Sequence, residues 1–174
     1  MTDGDLQQKR IVAGLIDIAI AIAIALVFNV LSWVLTAALG GEGVTGYLPR
    51  ILGFIGSLVS LGYILGRDVV AGDRSIGKKV QNIRVVTAAG GPVTFNESAR
   101  RNGIFAIGAA LGVLSATLGL IPCLGDVVNC LLLPVMLLGL LVSVGAAIYE
   151  ILQITQQPDG IRFGDKQAGT RVVR

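Results

Sequence analysis

The 174-residue sequence contains no histidine. That removes the side chain most often used as a general base near neutral pH, which is also the commonest metal ligand. No carboxylate pair has a clear catalytic spacing either, so the chain is expected to be no enzyme, to hold no metal and to need no cofactor. Charge is scarce as well. Charged residues make up 14% of the chain and hydrophobic ones 53%, whereas an average soluble domain is about 25% charged. With a mean hydropathy of +0.79, this is the composition of a membrane protein, with lipids as its surroundings and no nucleic acid as a partner. There are only two cysteines, Cys123 and Cys130. If their side of the membrane is oxidising they form a disulfide across a turn; otherwise they are two small apolar residues at helix ends. The length leaves room for one membrane domain, 1–174, and short loops.

What is abundant is apolar sequence in long runs. About twenty apolar residues suffice for a helix to cross a hydrocarbon layer of ~30 Å. The Ile/Ala alternation from Ile18 to Ala25 has the period of a strand, but the length of its run decides for a helix. Four spans are predicted, at 11–39, 47–66, 103–124 and 127–149, with a turn at Pro122, Gly125 and Asp126 between the last two. The fold class is therefore an all-α integral membrane protein, a four-transmembrane-helix bundle. The first span exceeds the roughly 7–15 residues of a signal-peptide core and reads as a retained helix.

Orientation follows from the basic residues. Lys9 and Arg10 precede the first span, Arg67, Arg74, Lys78, Lys79, Arg84, Arg100 and Arg101 separate the second from the third, and Arg162, Lys166, Arg171 and Arg174 follow the fourth. Only Arg50 falls on the other side. The positive-inside rule places both termini, the loop 67–102 and the tail 150–174 in the cytoplasm. The loop's cations set topology or, less simply, bind anionic headgroups.

One residue breaks the first apolar run, Asp17 in "KRIVAGLIDIAIAIAIALVFNV". At ~100° per residue Arg10, Ala13, Gly14, Asp17 and Ala21 lie on one helix face, within about 60° of a common line. That face is expected to bury itself against another helix, because a charge at the centre of a membrane helix costs about 2.5–3.5 kcal/mol on insertion scales. Small residues recur at spacings of four: Gly53/Ser57, Gly56/Ser60, Gly108/Gly112/Ala116 and Gly139/Ser143/Ala147. They predict close helix packing.

The loop carries further signals. Ser75 is a candidate N-cap, "NIRVVT", the turn "AAGG" and "PVTF" read as a small hairpin, and Asn96 is a candidate cap for the helix leading into the third span. The tail's "TRVVR" is a β-prone stretch that would extend the hairpin. Glu150, at the inner end of the fourth span, is placed to pair with Arg100 or Arg101.

Three stretches together resemble the RDD family of small bacterial and archaeal membrane proteins. "KRIVAGLID" supplies Arg10 and Asp17, "GRDVVAGDRSIGKKVQNIRVVTAAGGPVTF" is similar to the family's loop, and "FGDKQAGTRVV" to its tail, which makes Asp165 the third named residue. The family's tail often reads Trp-His-Asp, where this chain has Phe163, Gly164 and Asp165. The resemblance implies a multi-pass protein of a bacterial or archaeal cytoplasmic membrane and a transport role, with sodium/proton antiport for some members.

Two functions follow for Arg10, Asp17 and Asp165. In one, Asp17 alternates between a bound proton and a bound cation while Arg10 and Asp165 gate access from the cytoplasm. In the other the three form a buried polar latch, with Arg67 or Arg74 as charge partners of Asp17, in an accessory subunit of a larger membrane complex or in a homo-oligomer.

Overall fold

The computed structural model describes residues 3–39, 46–121, 125–156 and 161–173. Seven α-helices and two short strands are assigned among them. Helix α1 (Asp3–Leu39) is uninterrupted by proline, and α2 (Tyr47–Gly66) follows it. The third membrane crossing is composite: α4 (Phe95–Asn102), a 3-10 turn (Gly103–Ala106) and α5 (Ile107–Gly119). The fourth is α6 (Gly125–Gln156), which continues through Pro134; helices in lipid tolerate this where neighbours satisfy the freed carbonyl. Four stretches are long and apolar enough to cross a membrane: Gly4–Leu39, Tyr47–Gly66, Phe95–Gly119 and Cys130–Gln156.

α2 keeps its expected bounds, whereas α1, the third crossing and α6 begin before the apolar runs that announce them. α1 starts at Asp3, not at residue 11: in its first turns Leu6 packs on the small core described below and Asp5 pairs with Lys9 at 3.3 Å. The third crossing starts at Phe95 because a capping box holds its first turn: Thr94 N–H donates to Glu97 Oε2 at 2.7 Å and Glu97 N–H to Thr94 Oγ1 at 3.4 Å. Thr94, and not Asn96, is the cap. Ser75 caps α3 (Ile76–Val80) as expected, accepting from Lys78 N–H at 3.2 Å. α6 already includes Gly125 and Asp126, so the turn between the last two crossings falls on residues outside the described set; Cys123 lies there too, and with it the Cys123–Cys130 pairing.

The chain is not wholly α. Strand β1 (Arg84–Thr87) pairs antiparallel with β2 (Thr170–Val173), from Arg84↔Val173 to Thr87↔Thr170. The "AAGG" turn forms, with Gly90 at φ 86°, but "PVTF" does not return as a second strand. Pro92 has no N–H to give a ladder, and Thr94 is committed to capping α4. The tail supplies the partner strand instead. Val172, Ile83 and Ala13 of α1 form a small core, with Leu6 packed on it. Helix α7 (Phe163–Ala168) ends at Gly169, whose left-handed φ of 61° turns the chain into β2. α3, α4, α7 and the sheet thus form a polar cap on the end of the bundle that carries both chain ends.

The expected small-residue contacts divide. A Cβ on Gly56 would collide with Phe28 of α1, and one on Gly139 with Leu111 of α5; Gly108 faces Ser143 Oγ at 3.3 Å from such an atom. These are close helix crossings. Gly14, Gly53 and Gly112 meet nothing within 4 Å. They border empty space. α1 packs on α2, α2 on α5 and α5 on α6, but α1 and α6 touch only weakly. The four-helix ring is open along that side.

Candidate functional site

A cavity of about 860 Å³ runs between the four long helices. Arg10, Arg67, Glu150 and Arg162 line one end and Thr36 and Arg50 the other, with Asp17 and Tyr63 between. Small side chains make the space. Beside Gly14, Gly53 and Gly112 the wall carries Ala21, Ala25, Ala109 and Ala116.

Asp17 is 2% exposed, on the face shared with Ala13, which is 0% exposed. As expected, that face is covered by a helix, here by the five-residue α3 together with Tyr63 of α2. A Cβ on Gly77 would collide with the Ala13 carbonyl oxygen, so only glycine lets α3 come this close. At that approach Gly77 N–H donates to Asp17 Oδ1 at 2.8 Å, and Tyr63 O–H donates to the same oxygen at 3.3 Å. Among the described residues no Lys or Arg forms an ion pair with Asp17. Arg67, one expected partner, donates its Nε to Asn102 Oδ1 at 2.9 Å, and its guanidinium lies 5.3 Å over the Phe105 ring. Arg74, the other, is half-buried, and its carbonyl accepts from Ala71 N–H at 3.1 Å.

Arg10 and Asp165 do meet. Arg10 Nη2 lies 2.6 Å from Asp165 Oδ2, with the two side chains 7% and 1% exposed. Asp165 sits in the first turn of α7, where its carboxylate also accepts from Arg162 N–H at 3.2 Å. Arg101 Nη2 is 2.8 Å from its other oxygen and Arg162 Nε 3.5 Å from Oδ2. Glu150 pairs with Arg162 at 2.7 Å, not with Arg100 or Arg101. The tail folds back across the end of α6, which brings Arg162 nearer. Gly164 N–H also donates to Glu150 Oε1 at 3.3 Å.

A fourth buried carboxylate, Asp68, was not singled out by sequence. It is 0% exposed and pairs with Lys78 and, at 3.5 Å, with Arg101 Nε. Asn102 Nδ2 donates to it at 2.9 Å, and Ser98 Oγ accepts from its backbone N–H at 3.3 Å. Ser98 in turn donates to Leu65 O at 2.6 Å, which pins α4 to the end of α2. The signal was present in "GRD", "GKK" and "SARRN". It was masked because basic residues beside membrane spans are explained by topology alone.

The electrostatics of this network are asymmetric. Arg10, Arg67, Lys78, Arg101 and Arg162 stand against Asp17, Asp68, Glu150 and Asp165, five cations to four carboxylates, and Asp17 is paired with none of the five. Burial alone would raise the Asp68 carboxyl, yet Lys78, Arg101 and Arg67 outweigh it and hold it well below the usual carboxylate range. The same balance keeps Asp165 low: burial opposes, and Arg101, Arg162 and Arg10 prevail. The Arg162 guanidinium is raised by Asp165 and Glu150 against its burial. Lys78 moves the other way, from 10.5 to about 7, because burial together with Arg101 and Arg67 outweighs Asp68. A lone pair would raise the lysine. Here one carboxylate is shared among several cations, so the lysine proton is the one most easily lost.

Asp68 and Asp165 are therefore fixed anions with their cations in place. Asp17 is different, since only neutral donors hold it and it borders the cavity. The described residues include no cluster of three or more groups able to hold a metal ion. A family model described as the RDD family matches residues 7–169, which include every residue of this network. No curated protein and no solved structure matches the chain.

Proposed function

The chain belongs to the RDD family, and from that premise we propose that this multi-pass membrane protein is a transporter in which Asp17 exchanges a proton for a cation. The observation that carries this reading is the contrast among the aspartates: Asp17 lines the cavity without a cationic partner, whereas Asp68 and Asp165 are gripped by cations. A carboxylate inside a membrane must be neutralised. With no arginine or lysine to do so, a proton or a small cation takes that role, and the two are mutually exclusive. Gly77 N–H and Tyr63 O–H both bind Oδ1, which leaves Oδ2 for the exchanged species.

In this reading the ends of the chain and the polar cap face the cytoplasm of a bacterium or archaeon, an orientation that the distribution of basic residues supports. The Arg10–Asp165 pair is then the gate. Arg10 lines the cavity at its basic end, and its 2.6 Å contact with Asp165 ties α1 to α7 there. No step requires bond chemistry, so the protein is proposed to be no enzyme.

The test is cation-dependent proton flux in proteoliposomes. Native protein should collapse an imposed pH gradient when sodium or potassium is added, and Asp17→Asn should not. Asparagine keeps an acceptor for Gly77 and Tyr63, so the variant should remain folded. A second reading, an accessory subunit of a larger membrane complex, is favoured by the network that ties α1, α3, α4 and α7 together. It predicts no flux in either form and a stoichiometric partner on purification from native membranes.

A further inference from the structure

Arg67 is a buried cation with no carboxylate in direct contact; Asp68, the anion it acts on, is reached only through Asn102. It is 9% exposed, sits immediately after α2, and among the described residues no carboxylate lies within 4.0 Å of it. Its Nε is used by Asn102, and its guanidinium lines the cavity. A buried guanidinium that keeps its charge requires an anion or water nearby. Asp68, Glu150 and Asp165 are paired with other cations, and Asp17, which lines the same cavity, forms no ion pair with Arg67.

The cavity that Arg67 faces is open to the side. Ile18 and Ile22 of α1 and Val144 and Ile151 of α6 line it, and all four are also exposed. They form the two lips of the slot where α1 and α6 fail to close. Such a slot, apolar and facing the hydrocarbon, is bordered inside by Gly14 and Gly112, where a side chain would meet nothing. Its volume of about 860 Å³ falls in the roughly 300–1,000 Å³ range of ligand pockets. Arg67 stands at the level where the α2 span ends, which is headgroup depth. A membrane lipid reaches both regions at once.

We propose that the cavity binds an anionic phospholipid from the surrounding bilayer, with its phosphate on the Arg67 guanidinium and one acyl chain in the slot between α1 and α6. Zwitterionic lipid fits the slot but brings its own cation to a site already rich in them. The inference stands apart from the transport reading, because it concerns lipid binding and not flux.

The experiment titrates purified full-length protein in detergent with phosphatidylglycerol or phosphatidylcholine and counts bound lipid by native mass spectrometry. Thermal unfolding checks that each variant is folded. Native protein should retain one phosphatidylglycerol in preference to phosphatidylcholine. Arg67→Gln should weaken that retention at least about tenfold, the loss of a charge-assisted hydrogen bond, and erase the preference. Gly112→Leu, which fills the slot from α5 and leaves Arg67 in place, should reduce the binding of both lipids. Equal binding of the two lipids by native protein would overturn the proposal, as would phosphatidylglycerol binding undiminished in folded Gly112→Leu. If Arg67→Gln does not fold, the lipid preference of native protein and the Gly112→Leu result decide it.

Discussion

Three aspartates are buried at the basic end of the bundle, and they differ in what neutralises them. Asp165 has Arg10, Arg101 and Arg162, Asp68 has Lys78 and Arg101, and Asp17 has a backbone amide and a phenol. Removing one partner of a buried ion pair costs about 3–5 kcal/mol. Asp165→Asn should accordingly lower the thermal midpoint in detergent strongly. Asp17→Asn loses only the charge from its hydrogen bonds, a difference of about 1 kcal/mol, and should lower it little. Equal losses in the two variants would erase the distinction between latch and exchange site.

The same residues set a pH profile. Asp68 and Asp165 are depressed in the folded state, so their contribution is complete above the ordinary carboxylate value near about 4 and is lost as the pH falls below it. Lys78 is depressed from 10.5 to about 7. The unfolded chain then holds more protons than the folded one between those values, and stability rises with pH across that window. The thermal midpoint should climb from pH 7 toward pH 10 in native protein and stay level in Lys78→Met. A fall in the native midpoint over this range would show that Lys78 keeps its proton in the fold.

At the level of elements, helix existence was legible from run length, as were both ends of α2, but the starts of α1 and of the third and fourth crossings were not. The first turns of α1 and α4 lie outside the long apolar runs; they are held by Leu6 on the small core, by the Lys9–Asp5 pair and by the Thr94–Glu97 capping box. The strand pairing was half legible. The β-prone stretches were visible at Arg84–Thr87 and Thr170–Val173, but the hairpin reading gave priority to near sequence neighbours over the distant tail. Glycine spacing misled for a physical reason: small residues at intervals of four allow a close crossing or a hollow, and only the neighbouring helix decides. Gly56→Ala should therefore destabilise by about 1–3 kcal/mol, the cost of overpacking, whereas Gly112→Ala should be neutral in the same unfolding assay. Gly77→Ala should displace α3 from α1 and expose the loop to protease, because the colliding atom is the Ala13 backbone oxygen and cannot swing aside.

At the scale of the whole molecule, Arg10, Asp17 and Asp165 were legible only as a motif. The fold separates them: Arg10 and Asp165 join 155 positions apart in sequence, and Asp17 stands by itself deeper in α1. Asp68, Arg101 and Asn102 completed the network unannounced, since their side chains come together only when α4 docks on the end of α2. Topology is testable at this scale. Lys79 and Arg171 are exposed on the polar cap, so in a cysteine-free background a cysteine at either site should react with a membrane-impermeant thiol reagent only after the membrane is opened. Reaction in intact cells would invert the proposed orientation.

The central claim is that Asp17 holds either a proton or a cation. It is tested most directly by adding sodium or potassium to detergent-solubilised protein in weak buffer and recording proton release with a pH-sensitive dye. Native protein should release protons on cation addition, and Asp17→Asn should release none while unfolding at nearly the native temperature. Release that persists unchanged in Asp17→Asn, or no release from native protein with either cation, would contradict it.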